Sequence, residues 1–493
     1  MLVPLVTCYF LVTICIGFYA ARHVKNSADY LVAGRSLPLY MNTATVFATW
    51  FGAELVLAVS STFLKEGLRG VVGDPFGAAF CLIFVALFLA APYYRLKLLT
   101  IGDFYKKRYN RTVELASAVA IALSYLGWCS ANLVALGIVI NTVSGGSITL
   151  EQGIMLGAFA VGIYTLFGGM WSVALTDLFQ TVVIVFGLLY IAWLLGDMAG
   201  GFDKVIETAR QADRLKFFPD TSPREWLAFI AAFLTMALGS VAQQDVFQRV
   251  TSAKDEKIAR RGTLLGGSFY LLFAMVPMFI AVSAMLVAPE MTREALASDD
   301  GDFQMVLPKL ILEQTPLFAQ VLFFGALLSA ILSTASGTLL APTAVLTENI
   351  VQPLWGHKLS DRQMLIGLRL ILILFTIGVT TFALNSESSM YQMVQNAYKV
   401  TLVAAFTPLV FGMFWRRATP QGAIVSMVSG VISWQTAEYV APEGLIPPQL
   451  LGLIMAIIGM VIGSLAPAVV GGRGNPEMVD VAKGKAPLES LAP

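Results

Sequence analysis

The chain is short of charge. Asp, Glu, Lys and Arg together make up 13% of its 493 residues, whereas soluble domains carry about 25%. No sign dominates either. The net charge is +1, which argues against an acidic partner such as nucleic acid. Histidine is nearly missing: His23 and His357 both fall in predicted loops, so no histidine cluster is available for a metal or for catalysis. The four cysteines, Cys8, Cys15, Cys81 and Cys129, lie in apolar runs with no CxxC spacing. That disfavours disulfides and metal sites and suits small buried hydrophobes. With no nucleophile–base or metal constellation in view, an enzyme is the least favoured class and no cofactor is expected.

What is present is apolar sequence. Hydrophobic residues form 57% of the chain, and mean hydropathy is +0.75. Apolar runs long enough to cross a bilayer recur from end to end. The expected class is an all-α polytopic membrane protein with about 13 transmembrane helices. The spans are expected near 2–21, 38–62, 75–94, 112–141, 151–168, 174–197, 226–249, 263–288, 317–345, 364–384, 389–414, 421–440 and 450–471. Residues 1–21 have no basic segment ahead of the apolar run; Arg22, His23 and Lys25 follow it. They read as a retained first span with its N-terminus outside, not as a signal peptide.

Orientation follows from the loops. If the first loop is cytoplasmic, that side collects most of the basic residues, including Arg95, Lys97, Lys106, Lys107, Arg108, Arg111, Arg249, Lys254, Lys257, Arg260 and Arg261. Lys358, Arg362, Arg416, Arg417, Arg473, Lys483 and Lys485 fall on the same side. The bias predicts a cytoplasmic C-terminus in a plasma (inner) membrane. The loop at 199–225 is charged and is expected to hold a short amphipathic helix outside. The loop at 289–316 is a second external element. The tail at 472–493 is polar and Gly/Pro-rich, and disorder is expected there.

Two spans carry too many polar groups for plain hydrocarbon. Residues 38–62 include Asn42, Thr43, Thr45, Thr49, Gly52 and the ionisable Glu54. Span 226–249 is interrupted by Gly239, Ser240, Gln243, Gln244 and Asp245. Buried backbone and carboxylate groups need partners in a bilayer. Such spans line a cavity or ion site, or else are kinked structural helices. Each opens a block of five spans, and an odd number of crossings sets the second block in the opposite sense. Paired interrupted helices at corresponding positions point to a transporter's midplane site.

Span 317–345 adds Ser333, Thr334 and Ser336 within one turn, with Thr338 beyond. Hard cations take oxygen ligands, and Ser333 and Ser336 share a helix face. The alternative is that these hydroxyls bond back to their own helix. Asp177 can neutralise a cation or cap an interface. Lys399, inside a span, needs a partner; an ion pair or gate is expected, with a substrate contact as the alternative.

Several segments resemble the sodium:solute symporter family: DYLVAGRSLPLYMNTATVFATWFGAE, GGMWSVALTDLFQ, QQDVFQRVTSAKDEKIARRG, SAILSTASGTLLA and PLVFGMFWRRATPQGAIVSM. They stand in family order and cover most of residues 28–430. The resemblance implies the leucine-transporter (LeuT) fold, a LeuT-like five-plus-five inverted repeat. The expected units are 1–37, 38–198, 199–225, 226–414, 415–471 and 472–493. The resemblance implies that Na+ is the coupling ion and that a small organic solute and the lipid bilayer are the other partners. By family position, sodium ligands would be the carbonyls of Phe47, Trp50 and Ala330 and the hydroxyls of Ser333 and Thr334. A possible second sodium would use Asp177, Ser333 and Ser336, although Gly337 stands where members with that site have another serine. Substrate contacts would come from Trp50, Glu54, Asn132, Gln243, Gln244 and Asp245. Trp50 matches an aromatic that cages a quaternary amine in choline transporters, but Gln243 falls where those have a second tryptophan. An amine or amino acid is the favoured solute and alternating access the expected mechanism. A transporter-like sensor and a sodium-independent uniporter or channel are the alternatives.

Overall fold

A computed structural model describes residues 2–220, 222–297, 302–355, 359–386, 388, 390–469, 472 and 474–487. His357, Lys358 and Arg473, part of the 289–316 loop and the end of the tail from 488 lie outside the described residues. The described chain is helical. Pro38 sets the entry to α2 (Leu39–Trp50), which follows the peripheral α1 (Leu2–Ala20). The chain then breaks, and α3 (Glu54–Glu66) restarts at 52° to α2. The first turn of α3, Glu54–Val59, is wide, with i→i+5 bonding, a form common at functional sites.

Next come α4 (Val72–Leu96), α5 (Ile101–Arg108) and α6 (Arg111–Val143). The starts of α5 and α6 are capped by Thr100 and Asn110 side chains, which satisfy the first free N–H groups. Helix α7 (Leu150–Met198) runs for 49 residues. At 1.5 Å per residue that is about 74 Å, more than twice an apolar bilayer core of about 30 Å. The backbone turns at Gly169 (φ 50, ψ −138), so α7 comprises two spans joined by one residue rather than by a loop.

A second break follows. Helix α8 (Pro223–Ala242) stops where Gln243 is extended (φ −81, ψ 141), and α9 (Gln244–Thr251) resumes beyond it. The remaining elements are α10 (Glu256–Val287), α11 (Leu317–Leu354), α12 (Asp361–Asn385), α13 (Met390–Phe414), α14 (Pro420–Val440), α15 (Pro448–Leu465) and the short α16 (Met478–Ala482). Helix α11 is buried at every position from Phe323 to Val345, so it is the axis of the bundle. Phe159, Phe186, Leu272 and Leu374 face outward, as lipid-facing side chains of a bilayer protein do.

Three expectations change. By length and apolarity, 10 described helices can cross a membrane, or 11 with the bent α2–α3 pair, where thirteen spans were expected. One difference is that α7 is counted once there although its two halves are separate spans. The other is that α14 carries Ser426, Ser429, Ser433, Gln435, Thr436 and Glu438 and is too polar to qualify. Second, the described part of the tail is not disordered. Helix α16 buries Met478, Val479, Val481 and Ala482, and Asp480 pairs with Arg416 at 2.8 Å. Burial of those apolar side chains favours order in this segment. Third, Arg108 and Arg249 are not loop charges. Both are buried; Arg108 donates to the carbonyls of Gly412, Trp415 and Ala418, which offsets its lost hydration.

The expected amphipathic helix is seen at Phe202–Gln211, with Val205 and Ala209 turned inward. Lys399 on α13 lies 3.8 Å from Glu438 on α14. The pair is partly exposed, so it contributes little to stability.

Candidate functional site

The two broken helices, α11 and the second half of α7 meet around a buried polar cluster. Asp177 is the pin. Its carboxylate accepts from Ser333 on α11 (2.6 Å) and from Thr45 on α2. Three helices are thereby held at one point with no water-exposed atom. Ser336 does not join them; its hydroxyl donates to the Ser333 carbonyl at 3.0 Å, the back-bonding alternative raised by its sequence.

Beside the pin lies Arg249, on α9. Its Nε donates to Thr49 Oγ1 at 3.0 Å, and the guanidinium is within electrostatic reach of Asp177 and Asp245. The space a Cβ would take at Gly337 is filled by Arg249 Nη2. A serine at 337 would collide with it. Among the described residues, Arg108 and Arg249 are the fully buried cations, and Arg108 sits among carbonyls near Gly412.

At the α2–α3 break, the Phe47 carbonyl accepts from Phe51 N–H (2.9 Å) and the Trp50 carbonyl from Gly52 N–H (3.0 Å). Each carbonyl oxygen keeps a second lone pair. The break is pressed against α11: the Cβ position of Gly52 is 2.8 Å from Thr334 Oγ1 and is also crowded by Glu54 Oε2. A side chain at 52 would have to displace these oxygens. Ala330 lies one turn before Thr334 in α11 and is fully buried. The five residues expected around one sodium thus lie on two adjoining elements, with Thr334 against the break and Ser333 turned to Asp177.

A second group faces them. Trp50 sits 5.7 Å from Trp128 and 6.1 Å, stacked, from Tyr398; Trp128 and Tyr398 are 5.6 Å apart. Trp128 Nε1 donates to Glu54 Oε1 at 2.9 Å. Tyr125, one turn before Trp128, donates to Asp245. Asp74 receives the Tyr270 hydroxyl. Gln243 donates to Ser124 (3.0 Å) and Thr401 (3.3 Å). The group is closed from solvent, with Trp50 3% and Glu54 5% exposed.

Two expected contacts stand apart. Gln244 accepts from Ile101 N–H at 2.8 Å and is tied to the loop before α5. Asn132 bonds its own helix at the Trp128 carbonyl, 3.0 Å away. Sequence reading missed Trp128, Tyr125, Tyr398 and Asp74 as site residues. An aromatic in an apolar span carries no sign of the cavity it faces. Arg249 did leave a signal, standing four residues after Asp245 and so on the same helix face.

The sequence model of the sodium:solute symporter family matches residues 30–430. A sodium/proline symporter of Staphylococcus aureus (strain JH9) is 25% identical over 487 residues, covering 94% of this chain and 91% of the relative. Among solved structures, a substrate-bound, outward-open Na+-coupled sialic acid symporter superposes with a TM-score of 0.81. It is 19% identical, with 95% of this chain and 98% of that one covered. A nucleobase-cation-symport-1 family transporter in a closed conformation gives 0.61 at 14% identity, covering 93% and 99%. The fold is therefore that of the LeuT-type transporters.

Proposed function

The chain belongs to the sodium:solute symporter family, and from that premise we propose that it imports a small ammonium-bearing solute, an amine or amino acid, by sodium-driven alternating access. It is an integral membrane transporter and not an enzyme. The observation that carries the sodium site is the break of α2 against Thr334. The carbonyls of Phe47 and Trp50, each with a second lone pair beyond its hydrogen bond, would act with the carbonyl of Ala330 and the hydroxyls of Ser333 and Thr334 on α11. A hard cation is held by such oxygens, and holding it ties α2 to α11. One sodium is favoured over two. Asp177 is engaged by Thr45 and Ser333, and Arg249 fills the space at Gly337.

The solute class follows from charge. Glu54, Asp74 and Asp245 are buried within reach of Tyr398, and Trp50, Trp128 and Tyr398 supply aromatic faces. Carboxylates beside aromatic rings suit an ammonium group. Gln243 completes the candidate contacts. The N-terminus is placed outside and the C-terminus in the cytoplasm, from the loop charges.

Uptake into proteoliposomes tests the reading. Solute accumulation driven by an inward sodium gradient is expected; one charge crossing 100 mV adds about 2.3 kcal/mol, or roughly fiftyfold. Uptake indifferent to sodium would favour a uniporter instead. A thermal-shift screen of amines, amino acids, organic acids and sugars, with and without sodium, identifies the solute. Replacing Trp50→Ala is expected to weaken binding of an ammonium solute about tenfold or more, since a desolvated cation–aromatic contact is worth about 2 kcal/mol. Unchanged solute affinity in that variant would remove the aromatic cage.

A further inference from the structure

Two buried oxygens at the α2–α3 break have no partner. Glu54 Oε2 and Thr334 Oγ1 are both free of hydrogen bonds, although Glu54 is 5% exposed and Thr334 0%. A carboxylate oxygen without a donor in a low-dielectric interior is expensive. Both oxygens crowd the one point that a Cβ on Gly52 would occupy. They come from different helices and both approach Gly52, whose N–H donates to the Trp50 carbonyl. The other oxygen of Glu54 is held by Trp128 Nε1 at 2.9 Å, which fixes the carboxylate's direction. Among the described residues no cation pairs with it: Arg249 donates to Thr49 and not to Glu54.

We propose that Glu54 is a direct ligand of the coupling cation, its Oε2 joining Thr334 Oγ1 and the carbonyls of the break around one sodium ion. This rests on the sodium-symporter reading above. It changes the chemistry of the site. A cage of carbonyls and hydroxyls is neutral, whereas a carboxylate makes the cage anionic and matches the ion's charge. It also gives Gly52 a role, because any side chain there would fill the space where the two oxygens converge. Trp128 becomes a positioning residue, holding one carboxylate oxygen so that the other is left toward the break.

The test uses the full-length purified protein with no solute present. Sodium chloride is titrated against choline-free, constant-ionic-strength buffer, and sodium-specific thermal stabilisation is read for each variant. The wild-type protein is expected to be stabilised by sodium. Glu54→Gln is expected to raise the sodium midpoint at least tenfold. Glu54→Asp, which keeps the charge but shortens the reach, is expected to fall between. Trp128→Phe is expected to raise the midpoint less than Glu54→Gln. Should Glu54→Gln not fold, the Glu54→Asp midpoint decides. A residue that touched only solute would leave all these midpoints at the wild-type value, and that result overturns the proposal while the symporter reading stands. A wild-type protein that shows no sodium-specific stabilisation overturns both.

Discussion

Thr334→Ala is expected to leave the protein folded and to raise the sodium concentration for half-maximal uptake by about ten- to a hundredfold. The reason is the state of its hydroxyl. Thr334 Oγ1 is buried and hydrogen-bonds to none of the described residues, so removing it breaks no hydrogen bond among them. A polar contact to a charged group is worth about 1.5–3 kcal/mol, and each 1.4 kcal/mol is a factor of ten. Ser333→Ala is a contrasting case. Its hydroxyl donates to Asp177 at 2.6 Å, so the change also loosens α11 from α7, and lowered thermal stability should accompany any loss of sodium affinity. The measurement is sodium-dependent uptake beside a melting curve for each variant. A sodium midpoint for Thr334→Ala equal to wild type would take α11 out of the ion site.

Arg249→Met should cost about 3 kcal/mol or more of stability, because it strips the buried acids of their cation. Asp177 and Asp245 are both fully buried, and Arg249 is the basic group in reach of each. Methionine fills part of the volume beside Gly337 but leaves Thr49 without its donor. Losses of that size are a large share of ordinary folding stability. Adding Asp245→Asn to the Arg249→Met chain should recover part of the loss, since one uncompensated charge is removed. The check is the thermal midpoint of the monodisperse protein for the two single variants and the double. Additive losses would mean that the two groups do not interact. An unchanged midpoint in Arg249→Met would mean that the cation is not needed for stability.

The candidate site was legible in unequal parts. The polar residues of 38–62 and the Ser333–Ser336 cluster stood out because the spans around them are apolar. Asp177, Ser333 and Thr45 are then drawn to one point, as a shared polar site requires. Ser336 was equally conspicuous in sequence, yet it bonds back to its own helix; a hydroxyl's rotamer is decided by its neighbours. Arg249 was taken for a loop charge because it lies at the end of an apolar run. Its helix, α9, in fact continues past the break at Gln243 and keeps it inside.

Composition and apolar length alone settle that this is a many-span helical membrane protein, because hydrocarbon admits only chains whose backbone groups bond within themselves. The order of its motifs also carries the family. Two interrupted helices were visible as polar residues where none should be. What they meet was not visible. That the break at Phe51–Gly52 presses on Thr334, that Trp128 holds Glu54 beside that break, and that Arg249 fills the space left by Gly337 are facts of packing between residues as far apart in the chain as Gly52 and Thr334. Local pattern records which residues a helix buries. Only the folded bundle decides which buried groups find each other, and which are left for an ion.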